Sequence, residues 1–225
     1  MTEKIKNNIE LVSLHIPKTC GTSFRNTLKT VYGNKSVKRL DINSKCLKID
    51  QKVYEKSSLL SNIRIIHGHF KFNSVFEKIE LSETTPVITW LRDPVERVIS
   101  NYFYLKKIIQ KKIRTSDDDG NLGDRMLKSL TEYARAEENR NRISKFLSGA
   151  KLEDFFFIGI VEDYENDLAT LSELLNWEKY SIFKDNQTSK ETPVVSEEDR
   201  KLIKSINEND VELYNTAIEI KALKK

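Results

Sequence analysis

Two short stretches and three histidines hold the residues best suited to chemistry. The first stretch is His15-Ile16-Pro17-Lys18-Thr19-Cys20-Gly21-Thr22-Ser23. It follows the apolar run ELVSLHI (residues 10–16) and precedes Phe24, Leu28 and Val31, spaced at i, i+4 and i+7 as on one helix face. A strand-to-helix loop leaves N–H groups at the helix start that can cradle an anion. Gly21 lets the backbone approach a ligand, Thr22 and Ser23 offer hydroxyls, and Lys18 adds a point charge. That chemistry suits a phosphate. Lys18 precedes the glycine, and G-x-x-x-x-G-K-[ST] is absent, which disfavours an ordinary nucleotide triphosphatase. Taken alone, the stretch reads equally as a well-capped helix with no ligand.

The second stretch runs from Leu91 to Tyr102. Arg92 closes the apolar run PVITWL, and its guanidinium can fork onto a phosphate. Asp93, Pro94 and Glu96 spell a helix start: N-cap, first helical position and third position of a capping box. Ser100 lies two turns along that helix and can donate to the same group, and Arg97 shares roughly that face. The plainer alternative pairs Arg92 with a local carboxylate and leaves Ser100 merely exposed.

His15, His67 and His69 are the chain's three histidines, each at or just after the end of an expected strand. His67 and His69 flank Gly68, and residues two apart in extended backbone face one side, so both can face a cleft. Imidazole, with a pKa near ~6.5, suits proton abstraction near neutrality. His15 reads instead as a packing or backbone-bonding residue. His67 and His69 lack an obvious third ligand for zinc. The two cysteines, Cys20 and Cys46, supply neither a disulfide scaffold nor a cysteine-based zinc site. No metal is expected.

The elements that must position these residues follow from periodicity. Strands are expected at residues 10–16, 39–42, 63–67, 86–91 and 155–161. Helices are expected from Ser23, then over 93–112, 125–136, 139–148, 162–175 and 196–222, the last with a break near Asn207. Residues 115–123 and 181–195 read as irregular. Strands alternating with helices imply an α/β fold with a parallel sheet covered on both faces, and ligands bind beyond the carboxyl ends of its strands. The 225 residues suit a single domain over residues 1–225. A net charge of +4 argues against a nucleic-acid binder held by charge. No apolar run is long enough for a membrane span, and the polar first ten residues lack an export signal, so a cytoplasmic setting is expected.

Taken together, the two stretches resemble the carbohydrate sulfotransferases that use 3′-phosphoadenosine 5′-phosphosulfate (PAPS), in particular the heparan sulfate 2-O- and 6-O-sulfotransferase group and its soluble bacterial relatives. HIPKTCGTSF (15–24) resembles the family's 5′-phosphosulfate loop, and LRDPVERVISNYFYLK (91–106) its 3′-phosphate motif. IIHGHF (65–70) resembles the segment carrying the catalytic histidine of the 2-O branch. FLSG (146–149), FIGIVEDYENDLATL (157–171) and NQTSK (186–190) resemble later landmarks. The resemblance implies a P-loop-like three-layer fold with a central parallel β-sheet flanked by helices. It implies Lys18, Thr19, Cys20, Gly21, Thr22 and Ser23 around the 5′ end of PAPS, Arg92 and Ser100 on the 3′-phosphate, and Lys190 closing over the nucleotide. Cys20 stands where relatives usually carry another small residue, and an exposed loop would leave its thiol open to oxidation.

The implied reaction is an in-line sulfuryl transfer from PAPS to a hydroxyl of a sugar or glycoconjugate acceptor, by analogy with phosphoryl transfer. His69 would be the general base, His67 would orient the acceptor or assist, and Lys18 would stabilise charge growing on the leaving phosphate. The competing readings are a P-loop nucleotide kinase or phosphotransferase and a non-catalytic nucleotide-binding module. On the acceptor side, Arg135, Arg140, Arg142 and the aromatics Tyr102, Phe103 and Tyr104 are candidates for holding a sugar. The plainer reading makes the aromatics core residues and leaves Asp117, Asp118 and Asp119 in a solvated loop.

Overall fold

The computed structural model describes residues 5, 7–43, 46–56, 58–114, 128–183 and 194–223. Strand β1 (Leu11–Leu14) leads into helix α1 (Gly21–Tyr32), followed by β2 (Val37–Ile42), β3 (Leu47–Ile49), β4 (Lys52–Val53) and β5 (Ile65–His69). Helix α2 (Phe72–Lys78), β6 (Val87–Leu91) and the long α3 (Pro94–Arg114) come next. Short helices α4 (Leu130–Arg135) and α5 (Arg142–Phe146) precede β7 (Phe157–Ile160), α6 (Tyr164–Leu174), α7 (Glu197–Ser205) and α8 (Glu208–Leu223).

The strands form one sheet in the order β4-β3-β2-β5-β1-β6-β7. β2, β5, β1, β6 and β7 run parallel, and β3 and β4 are antiparallel at one edge. β1 and β6 are buried along their whole length, as strands covered on both faces must be, which explains runs that are apolar except for Ser13 and Thr89. Alternate residues feed two cores. Leu11, Ile65, Ile88 and Trp90 pack with Phe24 and Leu28 of α1 and with Leu168 and Leu171 of α6. Val12, Leu14, Ile66 and Leu91 pack on the opposite side with Val75 of α2, Ile143 of α5 and Tyr214 of α8. The result is a three-layer α/β fold.

Several expected elements change. β5 runs on through Gly68 to His69, because β2 continues beside it and pairs Asp41 with His69. The β3–β4 edge hairpin was not expected. Its turn residues Asp50 and Gln51 both adopt positive φ (48° and 70°), the conformation of a tight hairpin turn, but the pair lacks the glycine that signals one. Helix α2 was also unexpected, and the helix expected over 139–148 shrinks to α5. The break near Asn207 stands: Asn207 is fully buried, donates to the Ile203 carbonyl and accepts from the Asn141 N–H. The irregular stretch 115–123, the early part of the helix expected over 125–136 and Lys190 lie outside the described residues.

Helix α3 starts where expected, with the Asp93 carboxylate accepting from the Glu96 N–H at 2.9 Å. The reciprocal half of the capping box is replaced. Glu96 pairs with Arg200, and the Asp93 N–H donates to Glu162 at the end of β7 instead.

Candidate active site

A cleft of about 960 Å³ opens at the carboxyl end of the sheet. Its first side comes from the β1–α1 loop and α3: Lys18, Thr22, Ser23, Arg92 and Ser100. Its second is a wall of His15, His67 and His69 with Arg25 and Arg39. Its third is the β7–α6 corner, including Glu162 and Asn166.

The β1–α1 loop is bent by two non-glycine residues in the left-handed region, Lys18 (φ 74°) and Cys20 (φ 53°). Thr19 is buried beneath the bend, and its hydroxyl donates to the Ile16 carbonyl at 2.8 Å. It therefore shapes the loop and is not among the residues lining the cleft. Cys20 caps α1 through its backbone alone, and burial pushes its thiol pKa well above the usual range. The raised pKa favours the protonated thiol, which is less open to oxidation than a thiolate. Gly21 opens α1 pressed against His15: a Cβ there would stand 2.0 Å from the His15 Nε2.

The Lys18 ammonium lies 3.9 Å from the centroid of the Tyr104 ring. Burial, and then the neighbouring Arg92, lower its pKa to about 8. Arg92 reaches back to the Lys18 carbonyl at 3.4 Å, so the two strand-to-helix loops meet. Ser100 is largely buried but still lines the cleft. Arg97 does not join them. It is fully buried and donates to the Asn139 carbonyl at 3.3 Å, on the side of α3 that faces the α4–α5 segment. Of the three aromatics, Tyr104 reaches the cleft. Tyr102 packs against Phe103 and Tyr133.

The histidines form one stack. The His15 ring lies 5.0 Å from His67, at 19° between planes, and 4.5 Å from His69, at 30°. His67 is buried, with Nδ1 2.9 Å from the Ser13 hydroxyl. Burial and then Arg25 lower its pKa to about 3, so it stays neutral. His69 is half-buried, and its Nδ1 lies 2.8 Å from the His15 carbonyl. A carbonyl only accepts, so Nδ1 carries the proton and Nε2 keeps its lone pair. Burial lowers the His69 pKa below its usual value, opposed by the His15 carbonyl and Asp41. Asp41 accepts from the His69 N–H at 3.3 Å and from Arg39 at 2.8 Å. Among the described residues, no three His, Cys, Asp or Glu side chains group as a metal site.

Arg25, Arg39 and Glu162 at the cleft, and Asp41 beside His69, were not anticipated. Arg25 carried a readable signal, since it lies one turn past Gly21 on the same helix face. Arg39 and Asp41 arrive by sheet register, opposite His67 and His69, which no local pattern announces. Of the acceptor-side arginines, Arg140 pairs with Glu137, while Arg142 lies near Phe146, whose ring meets His69 edge-on at 6.4 Å.

Over residues 4–216 the chain matches the sulfotransferase family, and it belongs to that family. Sulfotransferases take a sulfuryl group from PAPS and pass it to an acceptor. Among solved structures, the chain is similar to mouse sulfotransferase SULT7A1 complexed with PAP. That match has 10% sequence identity and a TM-score of 0.44 and covers 92% of this chain and 68% of the mouse one. No curated protein matches the chain. No helix among the described residues is long and apolar enough to cross a membrane.

Proposed function

We propose that the protein moves the sulfuryl group of PAPS to a hydroxyl of a carbohydrate or glycoconjugate acceptor, with His69 as general base. The observation that carries this reading is the lone pair of His69 Nε2, left free by the Nδ1–H bond to His15, in the same cleft as Lys18, Arg92 and Ser100.

The residues present fit a bisphosphonucleotide. One anion seat combines Lys18 with the start of α1, where helix N–H groups attract negative charge. Arg92 and Ser100 form a second, suited to a 3′-phosphate. On the third side, Glu162 is already engaged by the Asp93 N–H and the Tyr214 hydroxyl. Lys190, outside the described residues, would close over the nucleotide. When bound, PAPS supplies a sulfuryl group carried on a phosphate leaving group.

The chain's residues divide the remaining work. His69 Nε2 takes the proton of the acceptor hydroxyl, while the His15 carbonyl holds the ring in the right tautomer. Lys18 and the loop N–H groups face the charge that develops on the leaving oxygen. His67, neutral and buried, backs the wall.

The test is transfer of labelled sulfate from PAPS to a panel of sugars, glycolipids and small alcohols. Wild-type protein should transfer to at least one of them, and both Lys18→Ala and His69→Ala should lose transfer. Wild-type turnover in both variants would retire the assignment.

A further inference from the structure

His15 stands where three parts of the cleft meet. Its ring stacks with both His67 and His69, at 5.0 and 4.5 Å between centroids. Gly21 lies over its ring plane: Nε2, Cε1 and Cδ2 would all fall within 2.2 Å of a Cβ at that position. Its N–H donates to the Gly68 carbonyl at 2.8 Å, and its own carbonyl accepts from His69 Nδ1 at 2.8 Å. A single residue therefore touches the first turn of the donor-side helix and both the backbone and the ring of the base segment.

We propose that His15 is a positioning residue whose ring transmits the placement of the α1 N-terminus to the plane of His69. The base is then aligned when the donor loop is seated. The proposal rests on the sulfuryl-transfer reading of this cleft. His15 is not a second base, because burial, His67, His69, Arg39 and Arg25 all work against its protonation. A neutral ring stacked on His69 also offers a π face to the imidazolium that forms there during proton abstraction. The charged and titratable groups around His69 are His67 on its own strand, Arg39 and Asp41 on β2, and Arg142 on α5.

The backbone bonds of residue 15 survive substitution, so ring variants isolate the ring. In His15→Ala, kcat should fall by about ten- to a hundredfold, as expected for a misplaced base, with the KM for PAPS within about twofold of wild type. His15→Phe, which keeps a flat ring in the stack, should recover most of the lost rate. A second readout needs neither donor nor acceptor. With three histidines in the chain, histidine-labelled protein gives three imidazole signals. The His69 titration should move up toward ~6.5 in His15→Ala, as burial is relieved, and stay near wild type in His15→Phe. Adding 3′,5′-bisphosphoadenosine should shift the His69 signal in wild type and in His15→Phe, and leave it still in His15→Ala.

An identical His69 titration in wild type and His15→Ala would overturn the proposal. So would a loss of nucleotide affinity in His15→Ala equal to its loss of kcat, which would reduce His15 to packing of the donor loop. Absence of transfer by wild-type protein would count against the sulfuryl-transfer reading itself, and the nucleotide-free titration would still decide the role of His15.

Discussion

At the donor end of the cleft, the charges come from two strand-to-helix loops, with Lys18 after β1 and Arg92 after β6, and both side chains are only partly buried. At the acceptor end, His15, His67 and His69 stack ring on ring across two strands and are kept neutral by burial. On the proposed function, the donor end offers positive charge to an anion, whereas the acceptor end offers the His69 Nε2 lone pair to a hydroxyl. The separation matters because a base must be unprotonated while Lys18 and Arg92, lining the same cleft, must stay cationic. Burial accomplishes the first, and partial exposure preserves the second.

If that division of labour is right, damage at the two ends should look different. The largest effect belongs to His69→Ala, which should lower kcat by about 10²–10⁴-fold while nucleotide affinity by calorimetry stays within about twofold. Parallel losses in both would erase the division. Lys18→Ala should cost about 10²–10³-fold in turnover, since one charged donor facing the leaving oxygen is lost. Its defect should also appear in nucleotide binding, unlike that of His69→Ala.

The pH profile sharpens the contrast further. A lowered His69 pKa keeps the base neutral below ~6.5, so the acid limb of kcat/KM should lie below that value. Lys18, lowered to about 8, loses its charge above that pH, so the alkaline limb should start near there and reflect weaker donor binding. Rate measurements from pH 4.5 to 9.5 in wild type and Lys18→Arg check both limbs. The alkaline limb should move upward in the arginine variant, and the acid limb should not. The smallest effect is expected of Tyr104→Leu. Losing the ring under the Lys18 ammonium should change nucleotide affinity by about two- to fivefold, as a partly exposed cation–π contact would.

The same contrast explains what could be read from the sequence. The donor end was legible because its residues are contiguous with strong local signals: the run before His15, the helix start at Asp93, and a glycine between a lysine and two hydroxyls. The α/β alternation was legible for the same reason, as was the break at Asn207. The acceptor end was legible in part. His67 and His69 stood out as a spaced pair. The strand placing them runs two residues further than expected, because its continuation depends on pairing with β2. Nothing local shows that Arg39 and Asp41 sit opposite that pair, or that Gly21 serves the His15 ring as much as any ligand. Thr19 and Arg97 have the right residue type for binding an anion, and tertiary packing turned both inward.

The most direct test of the central claim is calorimetry at the donor end, comparing 3′,5′-bisphosphoadenosine with 5′-AMP on wild type and Arg92→Ala. Wild type should prefer the bisphosphate by about ten- to a hundredfold, the range expected for charge-assisted bonds to the extra phosphate. Arg92→Ala should abolish that preference. Equal affinity of the wild-type protein for both nucleotides would contradict the account.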